Sequence, residues 1–139
     1  MQNNKLSLAG RLDKGSVLVA EGYIFELERR GYIKAGPFVP EVVLEYPDAV
    51  RELHNEFLRA GSNLIVACTY YGHRSKLKAI GKEDRLEALN VQSIEIANEV
   101  ARIEGALVAG NLSNTGEKEL QGMSVRTDDS RINIRVIQR

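Results

Sequence analysis

Cysteine occurs once, at Cys68, in a chain of 139 residues. A single thiol excludes an internal disulfide framework and any CxxC zinc site. An excess of one charge is also missing, because 19 basic side chains face 19 acidic ones. Without a net charge or a basic stripe there is no footprint for nucleic acid or anionic lipid, and neither is expected as a partner. No apolar run approaches the ~20 residues that span a bilayer. The first ten residues lack the sustained apolar core of a signal peptide. The expectation is a cytoplasmic chain with no membrane attachment. Internal repeats and low-complexity segments are absent as well.

What is present suits a packed core. Hydrophobic residues make up 43% of the chain and charged ones 27%, which argues against disorder and for one domain's worth of globular chain. Three short apolar stretches stand out: residues 16–20 (SVLVA), 63–69 (NLIVACT) and 106–109 (ALVA). Each is continuous rather than alternating, which predicts parallel strands covered on both faces. Between them lie two helical patterns. Over 47–60, Val50, Leu53, His54, Phe57 and Leu58 fall on one stripe, with Pro47 in the first turn and Gly61 as the stop. Over 82–104, Leu86, Leu89, Ile96, Val100 and Ile103 carry the buried face, and Gly105 ends it. Strand and helix alternate as in βαβ units, with right-handed crossovers. Residues 32–45, with Gly36-Pro37 and Pro40, read as a long loop after the first strand. Beyond Ser113 the pattern dissolves, except that 131–139 (RINIRVIQR) alternates as a half-exposed strand does. On its own, this is a small open α/β layer. The common parallel barrel needs eight strands and ~250 residues to close.

Single polar residues have ordinary readings. Cys68, inside an apolar stretch and without an identifiable base, is expected as a small buried hydrophobe. His54 lies on the helix stripe and is expected as a packed, hydrogen-bonded side chain. His73 reads as an exposed loop residue, with a site role as the alternative. Arg74, Lys76, Lys78 and Lys82 are followed directly by Glu83, Asp84 and Glu87, a solvated face. Glu26, Glu28, Arg29 and Arg30 predict surface or interlayer salt bridges.

Longer words carry more. FELERRGYIKAGPFVPEVV (25–43), PDAVRELHNEFLRAGSN (47–63), TYYGHRSKL (69–77) and ALVAGNLSNT (106–115) follow one another in order. Together they resemble the homocysteine S-methyltransferase family, most closely the amino-terminal part of its betaine-dependent members, over roughly residues 12–115. The resemblance implies an α/β fold: the amino-terminal portion, about three βα units, of a (β/α)8 TIM barrel, incomplete in this chain. Residues 1–115 would form that partial barrel and 116–139 a divergent polar and basic tail. It further implies methyl transfer from betaine or a similar donor to homocysteine, giving methionine. In the family a zinc ion held by three cysteine thiolates binds the homocysteine sulfur. The metal turns a thiol that is mostly protonated at neutral pH into a thiolate.

The family's cysteine ligands lie in the later half of its barrel, and Cys68 aligns with none of them. No zinc is therefore expected in this chain alone, and whether it is an enzyme stays open; a truncated, inactive product is the first expectation. A non-catalytic half-barrel that associates with a partner chain, or oligomerises, through open sheet edges is the alternative. A free-standing small module, its sheet capped by residues 131–139, is a third.

The resemblance implies substrate contacts at Glu21, Gly22, Phe38, Thr69 and Tyr71. The family's Asp-Gly-Gly or Asp-Gly-Ala turn after strand one reads Ala20-Glu21-Gly22 here. Only Gly22 matches, and Glu21 is the nearest carboxylate that can reach back. Thr69, Tyr70 and Tyr71 match the threonine and aromatic pair after strand two, while Ala67 stands where the betaine enzymes have threonine. Tyr71 and Phe38 fall where those enzymes set rings around the donor's quaternary ammonium, Phe38 in the place of the usual tryptophan. Ring faces attract such a cation by ~0.5–2 kcal/mol per contact.

Overall fold

The computed structural model describes residues 6–34 and 41–112, and the backbone of 133–136. Two parallel strands form its centre. β1 (Leu64–Val66) pairs with β2 (Leu107–Leu112) in the register Leu64↔Leu107, Ile65↔Val108, Val66↔Ala109. All six of these side chains are buried, which is why the sequence shows continuous apolar runs there. Parallel neighbours need a long crossover. Here it consists of α5 (Arg74–Ala79), a 3-10 turn (Glu83–Arg85) and α6 (Leu86–Glu104).

The expected first strand is shorter than its sequence suggests. Residues 16–20 contribute only a parallel bridge, Val19↔Leu64. The Ala20 N–H donates to the Leu64 carbonyl at 2.9 Å, and the Leu18 carbonyl accepts from Asn63 N–H at 2.8 Å. The Asn63 side-chain oxygen adds a rung by accepting from Leu18 N–H at 3.1 Å. The segment lies at the sheet edge, with Leu18 57% and Val19 38% exposed and only Ala20 fully buried. Apolar continuity signals a wish for cover on both faces, and an edge position supplies it for one residue only. Two parallel strands and a bridge thus replace the three strands expected.

Both helical stripes form. α4 (Pro47–Arg59) starts on Pro47, buries Val50, Leu53 and His54, and half-buries Phe57 and Leu58. The chain leaves it through Gly61 at φ 105°, a conformation that favours glycine. α6 buries Leu89, Ser93, Ile96, Ala97 and Val100, and Gly105 closes it at φ 71°. It begins at Leu86 rather than residue 82, because residues 83–85 wind more tightly. Ile103, expected on the buried face, is 77% exposed. At 100° per residue it stands at the margin of the stripe centred on Ser93, Ile96, Ala97 and Val100, one residue from the helix end. α4 packs against α6, and Arg51 ties them by pairing with Asp48 of α4 and, at 3.2 Å, with Glu99 of α6.

Four short helices were not anticipated, α5 among them. α1 (Leu8–Leu12) carries Arg11, whose guanidinium donates to the Gly105 carbonyl at 2.6 Å and so caps the end of α6. α2 (Tyr23–Arg29) follows the bridge segment and buries Tyr23 and Leu27. α3 (Val42–Glu45) closes the stretch expected as one loop over 32–45, of which residues 35–40 lie outside the described part. The expected salt bridges form in part: Glu26 pairs with Arg29 and Arg30, and Arg30 reaches Glu56 of α4 at 2.5 Å, while Glu28 joins no ion pair among the described residues.

On the far side of β2, β3 (Asn133–Val136) pairs antiparallel, with Ala109↔Val136 and Leu112↔Asn133 at its ends. The alternating pattern over 131–139 therefore yields a strand in four of those residues. The remainder of 113–139 lies outside the described residues.

Candidate functional site at the strand ends

In a parallel sheet the carboxyl ends of the strands point to one rim, and ligands bind there because the loops that leave the strands are free to vary. At that rim a small cleft of about 60 Å³ opens between β1, β2, the Ala20-Glu21-Gly22 turn and α3. Its floor is Val66 and Ala67, its apolar side Ile24 and Val42, and its polar rim Glu21, Tyr70, Tyr71 and Asn111. A complete small-molecule pocket is commonly 300–1,000 Å³. The cleft is a fraction of that volume.

Glu21 and Tyr71, named from sequence, thus line the same cleft. Gly22 sits one residue behind, at φ 84°, where it turns the chain into α2. Thr69 does not line the cleft, and its hydroxyl is engaged: it donates to the Asn111 carbonyl at 2.8 Å and accepts from the Asn111 N–H at 2.9 Å. β1 stops at Val66 while β2 runs on to Leu112, so this side chain replaces the missing backbone rung. Phe38 lies outside the described residues.

Sequence reasoning passed over Tyr23, Cys68 and Asn111 as cleft residues. Asn111 could have been found by extending the 106–109 strand by two residues to its carboxyl end. Tyr23 is the hub behind the cleft. Its hydroxyl accepts from the Val66 N–H at 3.4 Å and lies 2.9 Å from His54 Nδ1. Its ring packs edge-on against His54 and Phe57, with centroids 5.0 and 4.9 Å away. Burial pushes the Tyr23 phenol well above its ordinary value, and the neighbouring Cys68 adds to this. His54 is fully buried, as expected, and burial pushes its imidazole down to about 4. Cys68 is half-buried, and burial pushes its thiol up to about 12. A neutral thiol with that value is a poor nucleophile and a poor metal ligand at neutral pH.

The loop after β1 is held from behind. Ser93 donates to the Leu89 carbonyl at 2.7 Å and to the Cys68 carbonyl at 3.1 Å. Asn90 Nδ2 donates to the Gly72 and Leu86 carbonyls, both at 2.8 Å. His73, with two readings open from sequence, caps α5: its Nδ1 accepts from the Ser75 N–H at 3.2 Å. Gly72 has no room for a side chain, since a Cβ would stand 2.6 Å from Asn90 Oδ1. Gly72→Ala must swing Asn90 off both carbonyls, and we expect a loss of about 1–2 kcal/mol in urea unfolding. In an Asn90→Ala background the same substitution should cost little. Equal costs in both backgrounds would mean that the contact with Asn90 is not the cause.

Comparison with known proteins gives the family. The sequence pattern of the family described as homocysteine S-methyltransferase matches residues 21–133. The chain belongs to the homocysteine S-methyltransferase family. It is 46% identical over 116 residues to betaine–homocysteine S-methyltransferase 1 of Xenopus tropicalis, covering 80% of this chain and 29% of that protein. To the Bos taurus protein of the same name it is 43% identical over 119 residues, 82% of this chain and 29% of the other. Among solved structures, the metallated homocysteine methyltransferase MmuM of Escherichia coli superposes with a TM-score of 0.63 at 28% identity. The match covers 78% of this chain and 42% of that one. This homocysteine S-methyltransferase-family chain therefore spans less than a third of the length of these curated relatives.

The family's zinc can be tested against the residues in view. Among the described residues of this methyltransferase-family chain, no three His, Cys, Asp or Glu side chains come together as a metal cluster. A structural or catalytic zinc needs three or four such ligands. Cys68 is the single thiol of the chain, and His54 Nδ1 faces the Tyr23 hydroxyl. The described residues do not fit a zinc ion. No helix among them is long and apolar enough to cross a membrane.

Proposed function

We propose that this chain forms the amino-terminal wall of a homocysteine S-methyltransferase barrel, the wall that contacts homocysteine and a betaine-like methyl donor, and that it does not transfer methyl groups by itself. The observation that carries this reading is the cleft at the strand ends, where the family match and the Glu21, Tyr70, Tyr71 and Asn111 rim coincide. Glu21 would attract the homocysteine ammonium and Tyr71 the donor's cationic head, with Gly22 shaping the turn. Thr69 would act mainly through Asn111. Phe38 completes the proposed donor contacts. Zinc, as in the family, would come with thiolates from outside these 139 residues, and the setting would be the cytoplasm.

A second reading has its own observation. The bridged edge exposes Leu18 and Val19, which suits association with another chain. One experiment addresses both: purified chain is supplied with zinc, homocysteine and betaine, and examined by sedimentation velocity in parallel. We expect no methionine above the blank. Methionine formation by the chain alone would overturn the inactivity, and a monodisperse monomer at high concentration would count against the edge association.

A further inference from the structure

We propose that residues 16–20, at the sheet edge, pair with the same residues of a second copy of this chain, antiparallel and across a two-fold axis through Leu18. This rests on the edge association given above as the second reading, and specifies its partner and register. The opposite edge is taken by β3, which pairs along β2. At the 16–20 edge the backbone bonds alternate, and Leu18 and Ala20 turn inward. The Leu18 N–H donates to Asn63 Oδ1 at 3.1 Å, and its carbonyl accepts from the Asn63 N–H at 2.8 Å. The Ala20 N–H donates to the Leu64 carbonyl at 2.9 Å. Alternate residues of an extended strand direct their backbone groups to opposite sides. Those of Val17 and Val19 therefore turn outward, toward a further strand.

The sequence of this edge is self-complementary. Aligned antiparallel about Leu18, Ser-Val-Leu-Val-Ala sets Ser16 against Ala20, Val17 against Val19, and Leu18 against its own counterpart. Small residues meet small ones and β-branched residues meet each other, as cross-strand packing favours. Each Val17–Val19 pair exchanges both of its N–H···O bonds, and Leu18 falls at the closely spaced pair between them, with Cα atoms about 4.5 Å apart. Leu18 is 57% exposed in the single chain and has apolar surface to bury there. The charges nearest the run are Lys14 before it and Glu21 after it. An antiparallel copy brings those opposite charges to the same end, whereas a parallel copy would bring like charges together. No charge, proline or glycine within 16–20 guards the edge.

The test uses the full chain at high concentration in a Cys68→Ala background, so that an introduced thiol is the single one. With oxidised glutathione as the oxidant, Leu18→Cys should form an interchain disulfide, because Cα atoms at the axis lie within bridging distance. Val19→Cys should cross-link about tenfold more slowly, since the symmetry sets Val19 against Val17 and leaves the two new thiols on Cα atoms roughly 9 Å apart. By sedimentation velocity, Leu18→Lys sets two ammonium groups face to face and should weaken self-association about tenfold. Phe25→Ser, at another exposed apolar side chain, should leave it unchanged. A chain that self-associates but cross-links equally through positions 18 and 19, or through neither, overturns the two-fold register and leaves edge association standing. Self-association undiminished by Leu18→Lys, or weakened equally by Phe25→Ser, moves the contact off the edge and overturns both. A chain that stays monomeric also overturns both. Should circular dichroism show Cys68→Ala unfolded, the same pair of thiols is compared in the wild-type background, with the wild type as the blank.

Discussion

Lowering the pH from 7 to 4.5 should destabilise this protein well before its exposed carboxylates are protonated, and His54 should be the cause. An unfolded imidazole titrates near ~6.5, whereas burial holds that of folded His54 down at about 4. Between those values the unfolded chain binds a proton that the folded chain does not, so stability rises with pH across the window. The contribution is complete above about 6.5, falls as the pH drops, and levels off once the folded imidazole is protonated. Its full size is about 3 kcal/mol.

The hydrogen-bond polarity explains why burial is so costly here. The Val66 N–H donates to the Tyr23 hydroxyl, which leaves that hydroxyl's own proton directed at His54 Nδ1. The neutral ring then carries its proton on Nε2, which has no partner among the described residues. A second proton would have to enter at Nδ1, against the Tyr23 donor, in a site without a carboxylate bonded to the ring. Glu26 and Glu56, held below the ordinary carboxylate value by hydrogen bonds from Arg29 and Arg30 respectively, lose their contribution at lower pH still. Urea midpoints at several pH values, for the wild type and for His54→Gln, separate the two effects. The wild type should weaken steadily from pH 6.5 to 4.5 and His54→Gln should stay nearly flat; parallel curves would remove His54 from the explanation.

His54 was legible from its sequence because helical spacing fixes which face a residue occupies. Val50, Leu53 and His54 fall on one stripe by arithmetic, and the structure buries all three. Gly61 and Gly105 were legible as stops for a related reason, since both adopt positive φ just beyond a helix. Residues 16–20 were less so. Their apolar run is real, but whether a strand lies inside or at an edge depends on neighbours that no local pattern encodes. α2 was hidden by its charges: Glu26, Arg29 and Arg30 read as salt bridges, which they are, and the buried pair Tyr23 and Leu27 four residues apart was overlooked. The cleft shows the same division. The Thr-Tyr-Tyr word marked the rim, while the engagement of the Thr69 hydroxyl with Asn111 came from a pairing 42 residues away.

That pairing carries the second large effect. Thr69→Val preserves the shape and β-branching of the side chain and removes its hydroxyl. The Asn111 N–H and carbonyl then lose their partner together, at a point where β1 offers no backbone to replace it. An unsatisfied buried backbone group costs about 1–3 kcal/mol, and Asn111 is half-buried, so partial hydration should hold the combined loss to roughly 1–3 kcal/mol. Thr69→Ser keeps the hydroxyl and should recover most of the loss. Urea unfolding without any ligand is the deciding measurement, because a hydroxyl reserved for substrate would leave the unliganded protein indifferent to its removal. If Thr69→Val unfolds at the wild-type urea midpoint with an unchanged slope, the clamp between the strand ends is not what Thr69 provides, and direct substrate contact becomes its better description. If the loss appears and serine recovers it, Thr69 acts on the cleft by holding Asn111 in place, and substitutions of Asn111 itself should then alter ligand binding more than they alter stability.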